Sequence, residues 1–264
     1  MKVEIINPEV VKDLCRNHGE FARVCYGSPA YRAEAVGRSC EETGHMSGSR
    51  CEYVKFRVEG VDRGTAEQCL RHEIGVRVPF EMQDNYLWAE EGLWDVVRVS
   101  PDEVVKNMAS FRYIDKGGFD YAVPGAVRRI PEAEALYRTG MAEISRVRSE
   151  LKRLLTGHGV DGREAVEAVN MLLPRATATE FVIGMTPEAL IHFAHKRLCS
   201  RAQEFARELA GKMRAAVADL NPELAERLVP QCDALLYCPE GRRSCGRAPT
   251  RDEAMRILER GRRT

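Results

Sequence analysis

YVKFRVEGVDRGTAEQCLRH, residues 53 to 72, contains the change of period that decides how the rest of the chain is read. From Tyr53 to Glu59 the residues alternate. Tyr53, Lys55 and Arg57 share one face and Val54, Phe56 and Val58 the other, which is the period of a strand buried on one side. Asp62 then offers an N-cap carboxylate for a helix through Thr65, Ala66, Cys69 and Leu70 to Arg71 and His72. A half-buried strand feeding straight into a helix predicts a fold that mixes sheet and helix. The helix ends in three adjacent ionisable groups, Arg71, His72 and Glu73. These are either an exposed helix end or one wall of a site for an anion.

The chain of 264 residues can bury a substantial core, and one main domain is expected. Lys and Arg number 40 and Asp and Glu also 40, so no uniform field is present to hold a nucleic-acid backbone or an anionic membrane. An anion has to be held by a local cluster. The opening MKVEIINPEVVKDLC carries scattered charge in place of a signal-peptide core, and no apolar run approaches a membrane span. The expectation is a soluble, cytoplasmic protein. Nine cysteines, an odd number spread through a large chain, read as free thiols. Cys232, Cys238 and Cys245 are separated by five and six residues, wider than the gap that lets neighbouring thiolates grip one zinc, so no metal site is expected from them.

Residues 77 to 106 break the rhythm. They hold both tryptophans, Trp88 and Trp94, many acids, and a short helix start at Ser100-Pro101, and read as an inserted lid or subdomain. Residues 131 to 155 and 162 to 173 are helical in pattern, with Glu132, Glu134, Arg146 and Arg148 read as a solvated face. The glycines of Gly157-His158-Gly159-Val160-Asp161-Gly162 match a dinucleotide loop in letters, but they stand between two helices and predict a turn. ATATEFVIGM, residues 176 to 185, reads as a strand. One long helix is expected from Thr186-Pro187 onward, with Leu190, Ala194, Leu198, Ala202, Phe205, Leu209 and Met213 as its buried stripe. The division expected is a main domain to residue 220, then a cysteine-containing tail closed by an amphipathic helix from about residue 251. No internal repeat or low-complexity tract is present.

Three separated segments carry a resemblance. The first runs from Ala22-Arg23-Val24-Cys25-Tyr26 through Gly44-His45-Met46-Ser47 to Gln68-Cys69-Leu70-Arg71-His72. The second is Asn107-Met108-Ala109-Ser110-Phe111-Arg112-Tyr113 with Phe119-Asp120-Tyr121-Ala122-Val123-Pro124. The third is Leu172-Leu173-Pro174 with Leu190-Ile191-His192-Phe193, Arg197 and Ala202-Gln203. In order and spacing this resembles the flavin-dependent thymidylate synthases. That family's signature is Arg-His-Arg, seven residues, Ser, and then Arg-Tyr. Here Arg71-His72 match, Glu73 stands in place of the second arginine, and Ser110, Arg112 and Tyr113 supply the other half across 36 residues.

The resemblance implies an α+β fold with a mainly antiparallel sheet packed by long helices, and methylation of dUMP at C5. FAD is the cofactor it implies, methylenetetrahydrofolate the carbon donor, NADPH the reductant, and a homotetramer the assembly. Gln68, Arg71, Ser110, Arg112 and Arg197 are then the nucleotide-binding residues, with Ser110 and Arg197 also assigned to catalysis. A 5′-phosphate calls for guanidinium forks and hydroxyl donors, and a fixed cation at Arg197 would stabilise charge developing on the uracil ring. His45, Ser47, Arg71, His72, Glu73 and His192 match positions that line the flavin. Besides Glu73, three positions depart from the pattern: Asn170 replaces an arginine, Thr186-Pro187-Glu188 replaces Asn-Ala-Arg, and Arg50-Cys51 replaces Glu-His. Arg50, Arg77, Arg175, Lys196 and Arg201 are the candidates to restore the positive charge. Action on another pyrimidine nucleotide, or a non-catalytic nucleotide-binding homologue, are the alternatives.

Overall fold

In the computed structural model, which describes residues 1–70, 104–111 and 114–261, the alternating segment forms strand β2, Val54–Asp62. Val54, Phe56 and Val58 are fully buried while Lys55 and Arg57 face out, as a pleated strand with one wet face requires. β1 (Lys2–Ile5) pairs with it, β4 (Ala178–Met185) lies on its other side, and β3 (Val104–Met108) forms the edge, giving the order β1-β2-β4-β3. The sheet is antiparallel, so the expected fold class stands. β3 begins at Val104, inside the segment read as an insert. Residues 77 to 103, with both tryptophans, lie outside the described residues.

α4 (Arg63–Leu70) follows β2 without a loop, and Asp62 is its cap: the carboxylate accepts from the Thr65 amide at 2.9 Å. The chain divides into two units. One contains Met1–Val3, Arg57–Leu70 and Lys106–Val182; the other contains Glu4–Phe56 and Ile183 onward.

In the first unit, α5 (Gly125–Arg128) leads into α6 (Pro131–Gly157) and α7 (Gly162–Asn170). The turn between the last two is the glycine stretch, with Gly159 at φ 85° and Asp161 accepting from the Arg163 amide at 2.9 Å. It is an interhelical turn, as its placement predicted.

The second unit opens with α1 (Pro8–Lys12), α2 (Leu14–Cys25) and α3 (Ala33–Thr43). α2 and α3 cross with their backbones touching. A Cβ at Gly19 would collide with the Ala33 carbonyl, and one at Gly37 with the Cys15 carbonyl. The expected single long helix is instead two: α8 (Pro187–Arg197) and α9 (Glu204–Ala218). The break at residues 198 to 203 is stabilised locally, since Arg207 donates to the carbonyls of Ser200 (2.8 Å) and Ala202 (3.2 Å). Leu190, Ala194, Leu209 and Met213 are buried as predicted, but on two helices. α10 (Pro222–Arg227) packs against α9, and Asn221 donates to the Val11 carbonyl at 3.0 Å, so residues past 220 join this unit. α11 (Gln231–Leu235) and α12 (Arg251–Gly261) complete it. Among the described residues no helix is long and apolar enough to cross a membrane.

Candidate functional site

At the end of β3, Ala109 donates to the Glu180 carbonyl at 3.0 Å, and this register delivers Ser110, exposed, to the rim of a cavity of about 550 Å³. Arg63, Phe111, Asn170 and Arg175 also line it. Arg63 lies over the Phe111 ring at 4.5 Å and donates to Glu67 at 3.0 Å, while the largely exposed Arg175 reaches Glu67 only at 3.7 Å. Two guanidinium groups therefore stand against Glu67 and against Glu167, which lines the cavity, so the rim carries both signs. Gln68 sits further along α4 and is partly buried. Arg71, His72, Glu73 and Arg112 lie outside the described residues.

Asn170 lines the cavity, but its amide is committed to partners within the protein. Its amide donates to the carbonyls of Phe111 (2.5 Å) and Ile114 (2.9 Å), and so ties these two residues together. Its oxygen accepts from Arg148 at 2.6 Å, which fixes which way the amide points. The reading of Arg148 as part of a solvated face is corrected by the structure: its side chain is 2% exposed. It donates to the carbonyls of Val169 (3.1 Å), Lys116 (2.6 Å) and Gly117 (3.4 Å) as well. Burial pulls its pKa below the ordinary arginine value, offset in part by Asp115. The partners of a buried cation are here carbonyls from a distant loop, and no helical spacing signals that.

The second unit contains the histidines. α3 ends at Gly44 with φ 79°, the left-handed cap that favours glycine, and His45 begins a 3₁₀ turn, Met46–Cys51, that packs on α2 and α8. His45 is exposed. Its carbonyl meets Nε2 of the buried His18 at 3.0 Å, and His18 Nδ1 meets Glu41 at 3.4 Å. His18 thus positions the turn. The sequence reading missed it, although its place on the buried stripe of α2 was a signal. His192, half-buried on α8, has its pKa lowered by burial and then by Lys196 and His195. Arg197 ends the same helix, which starts with Thr186 accepting from the Ala189 amide at 3.2 Å.

Two of the departures from the family pattern meet in this unit. Arg50 donates to Glu188 at 2.9 Å. The pattern has an acid where Arg50 stands and an arginine where Glu188 stands, so the change is an exchange of signs.

The structure therefore describes a sheet-and-helix protein with an arginine-bearing polar cavity beside a strand end and a histidine-bearing helix in the other unit. The thymidylate synthase complementing protein family matches residues 16–223, and the chain belongs to that family. The flavin-dependent thymidylate synthase of Nitratidesulfovibrio vulgaris is 33% identical over 211 residues, covering 80% of this chain and 74% of that protein. The Geobacter sulfurreducens enzyme of the same name is 27% identical over 237 residues, covering 86% and 87%. Among solved structures, the flavin-dependent thymidylate synthase from Helicobacter pylori in complex with FAD and dUMP superposes with a TM-score of 0.53 at 15% identity, over 87% of this chain and 100% of that one. A UMP/dUMP methylase from Streptomyces cacaoi bound to 5-bromo-dUMP gives 0.54 at 18% identity, over 86% and 93%. At these identities the two structures speak for the fold.

Proposed function

We propose that this chain is a flavin-dependent thymidylate synthase that methylates dUMP at C5 to dTMP, with methylenetetrahydrofolate as carbon donor and NADPH as reductant. Family membership over residues 16–223 carries the reading, and the cavity at Ser110, with Arg63 and Arg175 on its wall, supports it. Ser110 offers a hydroxyl donor to the substrate phosphate. Arg175 supplies the positive charge that the family pattern has at position 170, since its long contact to Glu67 yields readily to a dianion. A charge-assisted bond of this kind contributes about 1.5–3 kcal/mol. Gln68, Arg71 and Arg112 complete the phosphate and sugar contacts by resemblance. Arg197 stabilises charge developing at the pyrimidine N3 and its flanking carbonyls.

His45, Ser47 and His192 would hold FAD, with Arg71, His72 and Glu73 completing the set. The fit rests on His192, an imidazole whose pKa burial lowers, on the helix against which the Met46–Cys51 turn packs. When bound, FAD supplies the redox chemistry of the methylation. A homotetramer belongs to the same proposal, supported by large apolar side chains left exposed at Val24, Tyr31, Leu136 and Met171. A cytoplasmic setting is supported by the described cysteines, all free thiols.

The visible spectrum of the purified protein, followed by product assays with dUMP, UMP and dCMP, tests the reading. A flavin spectrum and dTMP formation are expected. A colourless protein that also fails to take up added FAD overturns it in favour of a non-catalytic homologue, and preference for UMP or dCMP overturns the substrate.

A further inference from the structure

The tail folds almost without a core. Between Gln231 and Thr250 the one buried side chain is Cys238. The segment comprises the short α11, a 3₁₀ turn at Gly241–Arg243 and Leu236 at φ 61°, a left-handed conformation that costs a non-glycine residue about 1–2 kcal/mol. Gly241 at φ 52° and Gly246 at φ 80° continue the irregular path. Apolar burial does not account for a defined conformation here. Segments of this kind are held by cross-links or metals.

Four thiols lie where such a group would sit. Cys199, two residues past the end of α8, joins Cys232, Cys238 and Cys245 in lining one cavity of about 220 Å³. All four are free. Yet among the described residues no three His, Cys, Asp or Glu side chains group closely enough to hold a metal ion. Thiols ringing a cavity without converging on one point suit a body larger than a single zinc. The remaining wall is cationic: Lys196, Arg197, Arg201 and Arg243 face it against Glu240, and Arg247 lines it while paired with Asp233 at 2.6 Å. A cluster held by four thiolates carries net negative charge, which such a wall stabilises.

We propose that Cys199, Cys232, Cys238 and Cys245 ligate a [4Fe–4S] cluster in this cavity, tying the tail to the end of the helix that presents His192 and Arg197. Ligation requires thiolates. The cluster does not rest on the nucleotide reading.

Iron, zinc, acid-labile sulfide and flavin, measured together on the full chain isolated without oxygen, test it. About four iron and four sulfide per chain are expected. Cys199→Ser and Cys238→Ser should lose the iron, while Cys25→Ser, at an exposed thiol elsewhere, should keep it. Should a ligand variant fail to fold, the iron and sulfide content of the unaltered chain decides alone. Background iron in flavin-loaded protein, stoichiometric zinc in its place, or iron that survives both ligand variants overturns the cluster; loss of flavin alone bears only on the proposed function.

Discussion

At position 170 and at position 188 the family pattern has an arginine and this chain does not, and the two units absorb the change differently. Asn170 is buried, and a second cation, Arg148, rises from α6 to satisfy its oxygen while its amide holds two loop carbonyls. Glu188 is half-exposed and meets a reversed partner, Arg50. The first arrangement exchanges a charge for an amide that holds the Phe111 and Ile114 carbonyls; the second preserves net charge and leaves the surroundings free to change. Burial decides which residues must change together. A buried polar group demands every partner, whereas an exposed pair tolerates the loss of either member.

The comparison can be broken most sharply at Arg148. Arg148→Ala strands the Asn170 oxygen and the carbonyls around it, and should cost about 3–5 kcal/mol in urea unfolding, the range for removing one partner from a buried charged network. Arg148→Lys should recover part of that. Asn170→Arg restores the family residue but sets two cations face to face, so the KM for dUMP should rise; tighter binding would show that the brace is dispensable. Arg175→Ala should raise the same KM by roughly 10- to 100-fold at nearly constant kcat, the equivalent of one charge-assisted contact made in ground and transition states alike. At the exposed pair, Arg50→Glu and Glu188→Arg should each cost under about 1 kcal/mol, and the double exchange should return to the starting stability in a double-mutant cycle. The smallest effect is at His192. Its folded pKa lies below the ordinary value of about 6.5, so the unfolded chain takes up the proton first as pH falls. Its contribution is present above that value and lost on acidification through the folded pKa, and His192→Gln should flatten the stability profile there.

Much of this was legible in the chain because it was written in periods. β2 alternates and buries the predicted face, Asp62 caps the predicted helix, and the glycine stretch at 157 to 162 is the expected turn. The helix break at 198 to 203 was not legible, since apolar residues recur across it at helical spacing and the turn is stabilised by Arg207 contacts to backbone. Arg148 shows the same limit: its partners are carbonyls, which no residue type announces. Arg50 and Glu188 were each visible as departures, but their reciprocity depends on a contact across 138 residues. That Cys199 lines one cavity with Cys232, Cys238 and Cys245 was not legible either, since spacing was counted only within the tail.

The crossing of α2 and α3 at Gly19 and Gly37 has a consequence for motion. With main chain against main chain, neither helix can roll or slide without separating, and no side chain intervenes to yield. The pair should open as one cooperative block in amide hydrogen exchange, with the protected amides of Leu14–Cys25 and Ala33–Thr43 sharing a common opening free energy. The turn at His45 follows directly from that block, so its position is inherited from two residues with no side chain at all.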